Sequence, residues 1–191
     1  MLTERIMGAF TFRKGVYAEV EQDTTFTTTA WILVSAVTFL NQLGTHASRN
    51  FIGWVLSAIV GTIIMVIGFA FAAAIISWVG RTLFNAEVTF EEMVRTLGLA
   101  SVWNIIGFVG AVVGFFPLLA CVTAPALILG VVFLIAAWFM AAKEALDLDW
   151  AETIVTVIVG VIAWGVVWLV TRGILGLLGL GAKAMGGALG L

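Results

Sequence analysis

Of the 191 residues, 62% are hydrophobic and 10% are charged, with a formal net charge of −2. A soluble domain carries roughly 25% charged residues, so this chain cannot cover a water-facing surface. One His and one Cys exclude an internal disulfide and any zinc, haem-pair or iron–sulfur site built by the chain alone, and neither a basic block suited to nucleic acid nor a phosphate loop is present.

No charge falls within 24–48, 50–80, 96–142 or 153–171, stretches of 25, 31, 47 and 19 residues. A bilayer-spanning helix takes about 20. The longest stretch holds two spans and a turn, so the reading is an all-α, polytopic membrane bundle of five transmembrane helices. Residues 1–27 form an amphipathic N-terminal segment carrying Glu4, Arg5, Arg13, Lys14, Glu19, Glu21 and Asp23. It lacks the apolar run of a signal peptide, so the first span is expected to act as the targeting signal. Lipid anchoring is not expected either: Leu2 offers no myristoylation site, and the C-terminal residues include no prenylation Cys.

Span one is expected over 28–43, opening on a threonine run, and span two over 52–78, about 40 Å long and so tilted or protruding. Thr89-Phe-Glu-Glu92 then has the form of a capping box, with Val88 and Met93 as a hydrophobic staple and Glu91–Arg95 as a favourable i,i+4 pair. It starts an ordered amphipathic helix leading into span three, 97–116. Pro117 and Pro125 punctuate the next apolar run; a tight turn is expected over 116–123 and span four over 121–142. A second capped start, Asp149-Trp-Ala-Glu152, precedes span five, 153–171. The membrane domain thus covers 28–172. The tail 173–191 has seven glycines in 19 residues and is expected to fray, because Gly costs about 1 kcal/mol per helical position.

With five spans, the N-terminus and loops two–three and four–five share a side holding six basic residues against three on the other, and all eleven acids as well. The positive-inside rule makes that side, and the N-terminus, cytoplasmic, with the C-terminus outside. Trp31, Trp78, Trp103, Trp138 and Trp150 come near inner helix ends, and Trp54, Trp164 and Trp168 toward outer ones, as headgroup-level anchors do.

Chemistry-bearing residues are sparse. No Asp, Glu, Lys or Arg lies mid-span, where a transporter or pump keeps its ionisable groups; Arg81, Lys143 and Arg172 sit at span ends, where they can snorkel. Asn41, Gln42 and Asn104 are read as hydrogen-bonding groups between helices. His46 is read as a solvated loop residue, with no nucleophile placed for it. The acids match no calcium-loop spacing. The reading therefore assigns no catalytic, cofactor-binding or metal-binding residue, no cofactor, and no enzymatic role. Gly107, Gly110 and Gly114 form a small-residue face for close helix packing, within the chain by default and in a homo-oligomer as the second choice.

Four stretches together resemble the YIP family of Ypt/Rab-interacting membrane proteins, in its short prokaryotic form. They are the segment Phe12 to Asp23 before span one, Ile76-Ser-Trp78-Val-Gly80-Arg-Thr-Leu-Phe84 ending span two, Thr89-Phe-Glu-Glu-Met-Val-Arg95-Thr-Leu-Gly98 entering span three, and Lys143-Glu144-Ala-Leu-Asp147 closing span four. The resemblance covers about residues 8–170. It departs at Leu99, where family members often carry Tyr, and in lacking the Asp-Leu-Tyr-Gly-Pro motif of eukaryotic members, so the GTPase binding of those relatives is not carried over. The resemblance implies a non-enzymatic protein of the prokaryotic inner membrane, a scaffold or adaptor in membrane organisation or trafficking-like processes. Because every acid lies on the inner side and no span carries a buried charge, a membrane or cytoplasmic protein is expected as a partner besides the lipid bilayer, met by a face of Glu87, Glu91, Glu92, Arg95, Glu144, Asp147 and Asp149. The alternative reading is a small transporter with a neutral pathway lined by Ser57, Thr62 and Asn104, or an accessory subunit of a permease or bioenergetic complex.

Overall fold

The computed structural model describes residues 1–177, and within its last helix the side chains of Trp164, Val167, Trp168 and 171–177 fall outside the description. Two short helices, α1 (Leu2–Phe10) and α2 (Val16–Glu21), precede α3 (Phe26–Thr45), α4 (Phe51–Phe84) and α5 (Phe90–Ala100). A 3-10 segment, Ser101–Val109, continues α5 into α6 (Gly110–Phe115); a 3-10 turn, Pro117–Leu119, then leads to α7 (Ala120–Leu146) and α8 (Trp150–Leu177). No strand occurs among the described residues. Among the described residues four helical stretches are long and apolar enough to cross a membrane: Phe26–Thr45, Phe51–Phe84, Phe90–Phe115 and Pro117–Leu146. A shorter apolar stretch, Trp150–Ala163, lies at the start of α8.

Local sequence explains most boundaries. The Asn50 side chain accepts a hydrogen bond from the Gly53 N–H at 3.2 Å and starts α4. That helix runs to Phe84, six residues past the expected end of span two, and stops where Asn85 turns left-handed at φ 55°. Asp147, at φ 49°, ends α7 in the same way, and the Lys143 ammonium donates to the Leu148 carbonyl at 3.0 Å, a cation at the negative end of a helix dipole. Pro117 breaks the chain as expected. Pro125 does not: it lies in the second turn of α7, where its missing N–H removes only one bond of the ladder. Helix α8 continues through Leu177, past the expected end at 171, and the rest of the expected glycine-rich tail, 178–191, lies outside the described residues.

The third span is the main departure from a plain helix. Nine residues, Ser101–Val109, are wound as 3-10 helix, where runs above three or four are uncommon. The cause lies on α3. The Asn41 side-chain amide donates to the Asn104 carbonyl at 3.1 Å, taking an acceptor that an α-helical ladder would use. Gly107 makes room for it, since a Cβ there would collide with that amide, and Gly44 lets α3 come up against the Gly107 carbonyl. Gly110 faces Gly44, and Gly114 faces Ala47. Gly107 and Gly110 therefore meet α3 of the same chain, and Gly114 meets the residue that follows that helix's C-cap. Gln42, buried on α3, packs against Gly61 of α4.

Helix α4 packs along α8 and α3, and α7 along α5 and the 3-10 segment. The best-packed core lies at the end of the bundle where α3 starts and α4 and α7 finish; Ile76, Met93, Leu97, Leu99 and Leu146 are fully buried there. Helices α1 and α2 close this end.

Candidate functional site at the capped end

The cap is built from the N-terminal segment upward. Helix α1 turns back on itself through Phe12 (φ 51°) and Gly15 (φ 80°) into α2. Gly15 adopts a left-handed φ without cost, but Phe12 pays about 1–2 kcal/mol for its own. Its ring compensates by stacking 5.6 Å from Trp103 and lying 6.0 Å from Phe133. Trp103 also meets Phe10 edge-on at 5.0 Å and donates its indole N–H to the Ala9 carbonyl at 3.3 Å. This tryptophan, expected at headgroup level, fastens α1 to the bundle. Trp31 is likewise packed inside, 5.7 Å from Phe69, whereas Trp78 and Trp150 remain exposed.

Helix α2 buries Val16, Tyr17 and Val20 against α5 and α7. Its final carbonyls have no partner within the helix, and Arg95 supplies one. The guanidinium Nε donates to Val20 O at 3.0 Å and to Glu21 O at 2.9 Å; Nη1 donates to the Thr27 hydroxyl at 3.2 Å, and Nη2 also donates to Glu21 O. One side chain thus joins α5, the end of α2 and the start of α3. Arg95 is 4% exposed. The expectation that it belongs to an open partner-binding face, paired with Glu91, is therefore corrected: Glu91 points outward, and the nearest carboxylate is Glu92 at 4.0 Å. The sequence marks Arg95 only as the last charge before a long apolar run. That it turns inward depends on α2 packing over α5, which no local pattern encodes.

Two further links hold the cap. Arg5 donates to Asp23 at 2.6 Å and lies over the Phe26 ring at 5.2 Å. With Thr25 also donating to it, Asp23 is held below the usual carboxylate range, first by the Thr25 hydroxyl and then by Arg5. Arg13–Glu19, at 2.8 Å, is well exposed and contributes little. The α5 start is a reciprocal capping box: Glu92 N–H donates to the Thr89 hydroxyl at 3.2 Å, and Thr89 N–H donates to the Glu92 carboxylate at 2.6 Å. From Met93 to Ala100 the helix is then buried on every side, because α2 covers what would have been its polar face.

Over this framework the carboxylates gather. Glu87, Glu91, Asp147 and Asp149 are exposed, and Glu92 and Glu144 are half-buried. Glu21, absent from the expected face, sits close to them. Burial pushes its carboxyl above the usual range, and Asp147, Glu92 and Glu144 add to the effect, while Arg95 opposes it. Acids from α2, the first turn of α5 and the end of α7 therefore share one field. Among the described residues, no group of three or more His, Cys, Asp or Glu side chains is placed to hold a metal ion. His46 lies in the α3–α4 connection as expected, but half-buried rather than fully solvated: it is the C-cap of α3, its N–H donating to Gln42 O at 3.0 Å. The capped end is an acceptor-rich surface on a rigid base, suited to binding cationic groups.

A multi-pass membrane protein is the class that these apolar helices and their capped, charged end define. The Yip1 domain family matches residues 7–187, and the chain belongs to the YIP family. No curated protein and no solved structure matches it.

Proposed function

We propose that the chain is a non-enzymatic membrane scaffold or adaptor that binds a basic segment of a partner protein on the acidic rim of its capped end. The placing of Glu92, Glu144 and Asp147, from two other parts of the chain, around the half-buried Glu21 carboxylate carries this reading, because the repulsion they add there to the effect of burial is a cost that a cationic partner would relieve. The rim stands on the buried Arg95 clamp, so its geometry is set before any partner arrives. Family membership supports a membrane role with protein partners. In this reading there are five spans, the capped end faces the cytoplasm and the C-terminus lies outside, in keeping with the loop charges.

Two experiments test it. In a chain with Cys121 replaced by Ser, Lys14→Cys and Asp147→Cys should be labelled by an impermeant reagent from the same side of the membrane; labelling from opposite sides removes the topology. Cross-linking in native membranes should capture a partner that is lost about tenfold or more on Glu87→Lys/Glu91→Lys/Asp149→Lys, with unchanged melting of the variant. Undiminished capture rejects the acidic rim as the docking surface.

A further inference from the structure

A cavity of about 250 Å³ lies inside the bundle, between α3, α4, the 3-10 segment, α7 and α8. Its walls are mostly apolar, with Met65, Phe69 and Leu134 among them, but one side carries the neutral polar residues Thr38, Asn41, Ser101 and Asn104. Two of these four are already engaged: Asn41 with the Asn104 carbonyl at 3.1 Å, and the Ser101 hydroxyl with the Leu97 carbonyl at 2.8 Å. The Thr38 hydroxyl and the Asn104 carboxamide have no hydrogen-bond partner among the described residues, and Thr38 is only 6% exposed. Thr38 lies about 18 Å along α3 from its start, at a depth where hydrocarbon offers no hydrogen bond and an unmatched polar group is costly.

The ligand's chemistry follows from the lining. Among the described residues no Asp, Glu, Lys, Arg or His lines the cavity, and there a phosphate or ammonium headgroup would be desolvated without a counter-charge. Small-molecule sites usually measure about 300–1,000 Å³; this smaller space fits one end of a molecule whose remainder stays outside. The way in is from the lipid, because the lining residues Ile135 and Val161 are 51% and 45% exposed on the bundle surface. We propose that the cavity binds an uncharged lipid whose carbonyl or hydroxyl group meets Thr38 and Asn104 while its apolar body lies against Phe69 and out past Ile135 and Val161. An acylglycerol and a long-chain quinone share this chemistry. Ser57 and Thr62 take no part: neither lines the cavity, and the Thr62 hydroxyl donates to Ala58 O at 2.7 Å. The site is independent of the acidic rim and does not rest on the scaffold reading.

Native mass spectrometry of the purified full chain in micelles tests it, with dioleoylglycerol, a decyl-chain benzoquinone and phosphatidylglycerol titrated separately. A single saturable adduct with one or both uncharged probes is expected, and the probe that binds names the source. Thr38→Val, which keeps the shape and removes the hydroxyl, and Asn104→Leu should each weaken that adduct about five- to tenfold, and Val161→Trp should abolish it by filling the entry. Thr38→Val keeps the test valid should the bulkier variant fail to fold. No saturable adduct with either uncharged probe overturns the proposal. So does an equally tight adduct with phosphatidylglycerol, or an affinity that Thr38→Val and Asn104→Leu leave unchanged, since these describe surface lipid or a water-filled void.

Discussion

At the capped end of the bundle every residue from Met93 to Ala100 is buried and one guanidinium joins three segments, while at the far end Leu118 is 95% exposed and the first half of α7 meets few neighbours. Of the apolar window in Pro117–Leu146 only 6% is buried within the protein, against 39% in Phe90–Phe115. The difference reflects two solvents. Lipid tails are as apolar as leucine, so helices within them gain nothing by hiding hydrophobic surface from each other, and close packing there needs small residues or hydrogen bonds. At the capped end the N-terminal helices carry charges and meet polar surroundings, so burying Val16, Val20 and Phe26 gains the ordinary hydrophobic free energy, about 1.5–3 kcal/mol per large side chain.

Removing the clamp is the strongest way to break this contrast. Arg95→Leu leaves the Val20 and Glu21 carbonyls without their donor; a loss of about 1–3 kcal/mol for each is expected, read as a lower melting temperature in detergent and faster proteolysis between α2 and α3. An unchanged proteolysis pattern would mean that the aromatic contacts of Trp103 hold the cap alone. Next in size is Gly107→Val, which forces a side chain onto the Asn41 amide. Overpacking of this kind costs about 1–3 kcal/mol, and it should loosen the α3 contact without freeing α1 and α2. If the cap is released as well, the two regions are not energetically separate.

How far this contrast could be read from the sequence differs between its two sides. Apolar runs and the Thr89–Glu92 box are local patterns, and the helices and the α5 start follow from them. The 3-10 winding of the third span does not, because its cause, the Asn41 amide at the Asn104 carbonyl, joins residues far apart in the chain. The acids of the rim were legible as a group, since helix ends place them together. The inward turn of Arg95 and the inclusion of Glu21 were not, because both depend on how α2 lies across α5. Trp103 likewise satisfies the pattern of a headgroup anchor, and only the fold reveals that its N–H is taken by Ala9.

Two smaller effects sharpen the picture of the cap itself. The Tyr17 hydroxyl is buried without a hydrogen-bond partner among the described residues, and burial pushes its ionisation well above the ordinary tyrosine value. Leaving such a group unmatched costs about 1–3 kcal/mol, so Tyr17→Phe should be neutral or stabilising by up to about 1 kcal/mol in thermal unfolding; a clear loss would reveal a partner for the hydroxyl. The smallest effect concerns pH. A raised folded-state pKa at Glu21 means that the folded chain favours the protonated form, so its contribution to stability is full below the unfolded value, about 4.3, and is lost as pH rises through the folded one. Glu21→Gln should therefore gain stability over the wild type near neutrality, by less than about 1 kcal/mol, with the advantage shrinking as the pH is lowered toward 4. A gain that does not change with pH would assign it to something other than the burial of the Glu21 carboxylate and the repulsion its neighbours add.

The winding of Ser101–Val109 also acts as a screw. Three residues per turn rather than 3.6, over nine residues, advance the chain by about half a revolution more and lengthen it by about 4–5 Å compared with a regular helix. Rewinding would swing Gly110 and Gly114 to the opposite side of the span and draw the two membrane faces of that helix together. The orientation of one end relative to the other is thus set within the helix itself, by a single carboxamide on a neighbouring one.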